Sequence, residues 1–284
     1  MTQGLSQTID NLEQMNHRYD GFLFDAYGVL MDADGPIVGA VEAWHRLAQL
    51  GKPCWILSNG SSKTLSETLG TYKAMGLAVD PSQIISSGSL LLGYFEEQGL
   101  VGAPTAVLGT KGSRQLCIDA GAHVVDLLVE QDFLVLVLAN QTDYPLLPSL
   151  EAALTIICRR LEAGQPCHLI LTNPDLIYPK AQLSYGFTAG SLALMIEAAM
   201  RLRLGPQAPS FVRLGKPSAR MFAEAERRAG SRHLLMIGDQ LETDILGANH
   251  YGLDSVLVGT GLSQIAVWPD YPVKPTYILR QWRS

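Results

Sequence analysis

The sequence predicts an α/β protein with a mainly parallel sheet. Three observations carry this. Short apolar runs alternate with helical stretches for almost the whole chain, the runs recur at roughly 30-residue spacing, and polar punctuation falls at their carboxyl ends. A length of 284 residues suits two compact domains. A composition of 47% hydrophobic against 17% charged residues supplies a sizeable core and excludes a disordered chain.

The elements follow in order. Phe22-Leu23-Phe24 reads as a buried strand closed by Asp25. Val38 to Leu50 carries Val41, Trp44, Leu47 and Ala48 at helical spacing, and Gly51 followed by Pro53 stops it. Cys54 to Leu57 is the next strand, ending at Ser58-Asn59-Gly60, and a helix through Leu65, Leu69, Tyr72 and Met75 leads to Gly76. Ile84-Ile85 is a third strand. A second group comprises Thr105 to Leu108, Val124-Val125, Phe133 to Leu138 and His168 to Leu171. Strand signals resume with Phe211 to Leu214, Leu234 to Ile237, Ser255 to Val258 and Tyr277-Ile278.

Charge and cysteine usage narrow the function. Lys and Arg number 21 against 27 Asp and Glu, a formal charge of -6 without a clustered cationic excess, which argues against nucleic-acid binding. A small phosphorylated ligand needs only one or two placed cations. Cys54, Cys117, Cys158 and Cys167 are scattered and form no Cys-x-x-Cys pair, so they read as reduced thiols. Met1 to Asp20 is polar and gives no signal peptide, and Phe133 to Ala139 falls short of the ~20 apolar residues a membrane span requires. The expectation is a cytoplasmic protein without a membrane segment.

Open parallel sheets bind ligands outside the carboxyl ends of their strands. Asp25, Ser58-Asn59, Gly215-Lys216 and Gly238-Asp239 each follow an apolar run directly. Asp25 reads either as a turn or capping residue or as a carboxylate nucleophile. Asp239 closes a strand, and Asp244 stands near a helix start, where its plain role is to face the dipole. Beside Asp25 these acids form a patch that suits Mg²⁺, a hard cation taking one or two carboxylates plus a substrate phosphate. Lys216 is either a solvated surface charge or the cation that holds the nucleophile ionised. Ser58 and Asn59, with nearby N–H groups at a helix start, are candidates for binding phosphoryl oxygens. Pro217 suits the first turn of the following helix.

Phe22 to Leu30, Ser58-Asn59, Gly215-Lys216-Pro217 and Gly238-Asp239 to Asp244 resemble, in order, the four motifs of the haloacid dehalogenase (HAD) superfamily. Most members of that superfamily are Mg²⁺-dependent phosphatases working through an aspartyl-phosphate. The wide gap between the second and third motifs resembles the subgroup with a large α/β cap, the sugar- and nucleotide-phosphatase-like branch. Thr172-Asn173-Pro174-Asp175 resembles a cap loop near the hinge, and Ala189-Gly190-Ser191 resembles the return to the core. The resemblance implies a Rossmann-like HAD core over 1–100 and 189–284 with the cap at 101–188. It implies Asp25 as nucleophile and metal ligand, Ser58 and Asn59 as phosphoryl contacts, and Lys216 as the neutralising cation. Asp239 would ligate Mg²⁺, Asp244 would act through its waters, and position 27 would contribute a backbone carbonyl. The implied partner is a small phosphorylated metabolite, and caps of this branch often pair into homodimers.

Tyr27 departs from the pattern. Phosphatases of the superfamily place there a second Asp that protonates the leaving oxygen and then activates water. Tyrosine, with a reference pKa of about 10 against about 3.9 for Asp, is poorly matched to that work near neutrality. The expectation is slow turnover, or preference for good leaving groups, unless another residue substitutes. Asp175 is a candidate contributed by the cap, its plain alternative an Asn-Pro-Asp turn. Two other readings stand beside the phosphatase: a 2-haloacid dehalogenase-like hydrolase, against which the pairing of Asp239 with Asp25 speaks, and a catalytically weak phosphate-binding protein. The glycine-rich Gly109 to Ser113 lacks the Walker spacing and reads as a cap loop, with Lys111 a less favoured substrate contact.

Overall fold

The computed structural model describes residues 6–129, 132–180, 184–262 and 272–282, so the first five residues of the segment read as leaderless lie outside it. From the amino end run β1 (Gln7–Ile9), β2 (Gly21–Phe24), the short pair β3 (Met31–Asp32) and β4 (Gly35–Pro36), and α1 (Val38–Gln49). Then come β5 (Cys54–Ser58), α2 (Leu65–Ala74), β6 (Ile84–Ser86), α3 (Leu91–Glu97), β7 (Pro104–Leu108), α4 (Lys111–Asp119) and β8 (His123–Val125). They lead into β9 (Val135–Leu138), α5 (Leu146–Glu162), β10 (His168–Leu171), the hairpin β11 (Ile177–Lys180) and β12 (Ser184–Phe187), and α6 (Ala189–Leu204). The chain ends with β13 (Val212–Arg213), α7 (Ala219–Ala229), β14 (Leu234–Gly238), α8 (Leu246–Tyr251), β15 (Asp254–Val258) and β16 (Tyr277–Leu279).

Two parallel sheets organise these elements. The first has seven strands in the order β1-β16-β15-β14-β2-β5-β6 and the second five in the order β13-β10-β9-β7-β8. Every residue of β2 and β14 is buried, as expected where helices cover both faces of a parallel sheet. On one face Phe22, Phe24, Ile56 and Ile237 pack against Trp44 and Leu47 of α1. On the other, Leu23, Leu57 and Met236 pack against Met221, Phe222 and Ala225 of α7. The buried stripe of α1 is Ala40, Ala43, Trp44 and Leu47; of the residues its sequence spacing picked out, Trp44 and Leu47 are buried, Val41 is half-buried and Ala48 is exposed.

The second sheet gathers more of the chain than residues 101–188. Strand β13 bonds to β10, with Ile170 opposite Val212 and Leu171 opposite Arg213. Helix α6 packs with α5 on one face through Leu192, Ala193 and Ile196, and α3 packs on the other through Leu91 and Phe95. The return to the first sheet therefore follows Leu214 rather than residue 189. Strand partnership is a long-range choice, and a two-residue strand carries no local mark of which sheet it joins.

Candidate active site

All strands of the first sheet point the same way, so the residues after β2, β5 and β14 emerge on one edge. Asp25 follows β2 and is fixed by its N–H donating to Ile237 O at 2.9 Å. Its carboxylate is buried and accepts from Lys216 Nζ at 2.6 Å on Oδ1. The same ammonium lies 2.6 Å from Asp244 Oδ1, while Asp244 Oδ2 accepts from the backbone N–H groups of Asp239 and Gln240, both at 3.1 Å. Asp244 thus sits inside a π-helical turn, Leu241–Ile245, that folds back over the end of β14 and runs into α8.

Asp239 completes the acid group. Its Oδ2 accepts from the Leu262 N–H at 2.8 Å, and its Oδ1 is buried without a hydrogen-bond partner. Gly28, at φ 96°, takes the left-handed turn after the nucleophile segment, and a Cβ there would stand 2.5 Å from Asp239 Oδ2. Both conformation and space demand glycine at that position.

Asn59 is more committed than a phosphoryl contact would be. Its Nδ2 donates to Asp175 Oδ1 at 2.7 Å and to Lys216 O at 3.1 Å, and its Oδ1 accepts from Lys216 N at 2.7 Å. Both amide hydrogens are engaged, so the side chain is a strut joining three segments. Gly215 permits it: a Cβ would lie 2.6 Å from Asn59 Oδ1 and 2.7 Å from Thr172 O. Ser58 keeps its hydroxyl proton while its oxygen accepts from the Gly60 N–H at 3.1 Å. Neither Ser58 nor Asn59 stands at a helix start. Helix α2 begins later, at Leu65, and Thr64 and Glu67 close its end in a capping box. Likewise Pro217 precedes α7, whose cap is Ser218.

Asp175 follows β10 and reaches the same edge from the second sheet. Its N–H donates to Asn173 Oδ1 at 3.1 Å, and its carbonyl accepts from Gly190 N at 3.1 Å and from the Thr188 hydroxyl. The side chain of Tyr27 also crosses between units, its hydroxyl donating to Pro179 O of the β11–β12 hairpin at 3.0 Å. Gly109 to Ser113, read from the sequence as a loop, is the cap and first turn of α4; it packs on the segment after β5, with the Ser113 hydroxyl donating to Ser61 O at 2.7 Å, whereas Lys111 is exposed.

These groups border a cavity of about 380 Å³ between the two sheets, which Asp25, Tyr27, Ser58, Asn59, Asp175 and Asp239 all line. Thr110, Asn140, Gln141, Thr142 and Tyr178 line it too, and the sequence reading assigned them nothing. The strand-end rule that singled out Asp25 applies equally to Thr110, two residues after β7, and to Asn140, two after β9.

Burial dominates the electrostatics. It raises Asp25, against which Lys216 pulls down, and it holds Asp239 well above the ordinary carboxylate range, with Asp25 and Asp244 adding repulsion. Asp244 and Asp175 are both pushed up to about 6, mainly by burial. Burial would lower Lys216, but Asp244 and then Asp25 hold it above its usual value. One ammonium faces three buried acids, Asp25, Asp239 and Asp244, whose ligand atoms lie within 4.8 Å of one another. The orphaned Asp239 Oδ1 and this uncompensated charge fit a hard divalent cation.

A family model described as haloacid dehalogenase-like hydrolase matches residues 22–123, and one described as HAD-hydrolase-like matches 213–283. Chronophin of Rattus norvegicus is 31% identical over 252 residues, covering 86% of this chain and 78% of that protein. An acid sugar phosphatase of Staphylococcus aureus is 27% identical over 262 residues, covering 92% and 94%. A crystal structure of a possible sugar phosphatase from Cytophaga hutchinsonii superposes with a TM-score of 0.82 at 28% identity, covering 97% of this chain and 98% of that one.

Proposed function

Since the chain belongs to the haloacid dehalogenase-like hydrolases, we propose that it is a phosphatase that hydrolyses a small organic phosphate, sugar phosphate-like, through an aspartyl-phosphate on Asp25. The observation that carries this reading is the meeting of Asp25, Lys216, Asp239 and Asp244 in one buried cluster, from which Asp25 and Asp239 line the cavity.

The Asp25 carboxylate attacks phosphorus, and the bond to the leaving oxygen breaks. Lys216 keeps Asp25 ionised and offsets charge on the phosphoryl oxygens. The Ser58 hydroxyl donates to one of those oxygens, while Asn59 holds Lys216 and Asp175 in place. Asp175 faces the bound substrate. Mg²⁺ would be held by Asp25, the backbone carbonyl of Tyr27 and Asp239, with Asp244 acting through water. When bound, it supplies a Lewis acid for the phosphoryl group. Thr110, Asn140, Gln141 and Thr142 offer hydroxyl and amide partners suited to the hydroxyls of a sugar.

Among the described residues no helix is long and apolar enough to cross a membrane. All four cysteines are unbridged, which supports a cytoplasmic setting. Pairing of two copies through the cap would use the α6 face, where Met195 and Leu202 are exposed.

The test is phosphate release from sugar phosphates, acetyl phosphate and p-nitrophenyl phosphate, with and without Mg²⁺. Turnover that needs Mg²⁺ and vanishes in Asp25→Asn is expected. Full turnover in Asp25→Asn, or halide release from a 2-haloacid without metal, refutes the reading.

A further inference from the structure

Breaking an alkyl phosphate leaves an alkoxide unless a proton arrives with the cleavage, and the second half-reaction needs a base for water. The cavity lining contains no histidine or cysteine. Its acids are Asp25, Asp239 and Asp175, and its phenols are Tyr27 and Tyr178. Asp25 is tied to Lys216, and Asp239 sits in the acid group on the metal side. The Tyr27 hydroxyl donates to Pro179 O, and a phenol with an ordinary pKa of about 10 is too weak an acid to cycle a proton near neutrality.

On this phosphatase reading, we propose that Asp175 is the proton carrier of the site: its carboxyl protonates the leaving oxygen, and its carboxylate then takes a proton from the attacking water. In the first step an Asp25 oxygen bonds to phosphorus, the bond from phosphorus to the leaving oxygen breaks, and the Asp175 proton moves to that oxygen, giving the free alcohol. In the second, water oxygen bonds to phosphorus, its proton returns to Asp175, and the bond between phosphorus and Asp25 breaks, releasing phosphate. Both residues end as they began.

The positioning is built in. Asn59 Nδ2 holds Asp175 Oδ1 at 2.7 Å, the same amide clamps the Lys216 backbone on both sides, and Lys216 Nζ reaches Asp25 Oδ1 at 2.6 Å. Asp175 is thereby linked to the nucleophile through two residues, with its backbone anchored by Gly190 and Thr188. Burial, aided by Asp244 and opposed by Lys216 and Asn59, brings the Asp175 carboxyl to about 6, where both protonation states are populated near neutrality. The role passes from the segment after β2 to a loop of the second sheet, so the acid arrives with the cap.

The experiment compares leaving groups. Asp175→Asn is expected to lose ~10²–10⁴-fold in kcat/KM, which reports only the step that expels the leaving group, on an alkyl phosphate such as glycerol 3-phosphate. On p-nitrophenyl phosphate, whose leaving group needs no proton, the loss should be at least tenfold smaller. Equal losses on both substrates would make Asp175 a positioning residue only, and no loss would remove it from the reaction; either overturns the proposal. Should the variant fold poorly, the wild type suffices. Its kcat/KM should depend more steeply on leaving-group pKa at pH 8 than at pH 5, and identical slopes refute the assignment. A wild type that releases no phosphate from any substrate defeats the phosphatase reading as well, which separates the two failures.

Discussion

Lys216 Nζ lies 2.6 Å from Asp25 Oδ1, joining residues 191 positions apart, and both side chains are buried. The pair exists because Gly215 lets the chain leave the second sheet against Asn59, which then fixes the Lys216 backbone from both sides. The ammonium also serves Asp244, so one cation stabilises two carboxylates.

Lys216→Met keeps the length of the side chain and removes its charge. Removing one partner of a buried ion pair costs ~3–5 kcal/mol. Here the acids can take up protons instead, so the cost should be smaller at pH 5 than at pH 8. Denaturant unfolding of the metal-free protein at the two pH values measures this, and an equal loss at both would contradict it. Turnover should fall ~10²–10³-fold through lost charge stabilisation.

Asp239→Asn should do the opposite to stability. Asp239 carries a buried Oδ1 with no hydrogen-bond partner, and burial together with Asp25 and Asp244 disfavours its ionised form. An amide preserves the acceptor for the Leu262 N–H while removing the charge. In the absence of metal the variant should melt higher than the wild type at pH 7. Adding Mg²⁺ should raise the melting temperature of the wild type and leave the variant nearly unmoved. A Mg²⁺ shift of equal size in both proteins would remove Asp239 from the metal site.

Much of this was legible in the sequence because a parallel sheet marks its own ligand edge: Asp25 and Asp239 each follow an apolar strand, and Ser58 ends one. What stayed hidden depended on distant partners. Strand β1, the polar run Gln7–Ile9, is a strand only because Tyr277–Leu279 pairs with it. The hairpin β11–β12 is largely exposed and carries Pro179, so neither alternation nor burial announces it. The commitment of the Asn59 amide to Asp175 and Lys216 is a fact of three converging loops, and no spacing within Ser58-Asn59 encodes it.

The pH dependence of stability follows from Asp175. Its folded pKa of about 6 lies above the ordinary 3.8, so the folded protein holds this proton more tightly. The stability it contributes is fully present below pH 3.8 and is lost as pH rises through about 6. Asp244 titrates in the same window, so the wild-type curve alone reports both groups. The difference between wild type and Asp175→Asn isolates the first. Relative to the variant, the wild type should lose stability between pH 4 and 6 and run parallel to it above 7. A constant offset across that range would mean Asp175 is not raised.

Tyr27 is expected to act on closure rather than on chemistry. Its hydroxyl donates to Pro179 O, tying the turn after Asp25 to the hairpin that roofs the cavity. A hydrogen bond of this kind contributes ~0.5–1.5 kcal/mol net, or roughly 2- to 10-fold in an equilibrium constant. Tyr27→Phe should therefore raise KM by about that factor on every substrate, with kcat on p-nitrophenyl phosphate little altered. Tyr27→Asp removes the same bond and places a carboxyl two residues after the nucleophile. Its KM should rise as in Tyr27→Phe, and its kcat on alkyl phosphates should increase only in the Asp175→Asn background, where the proton carrier is missing. Steady-state kinetics of the two single variants and the double variant decide the matter. A gain of tenfold or more for Tyr27→Asp with Asp175 intact would show that the native site lacks a working acid.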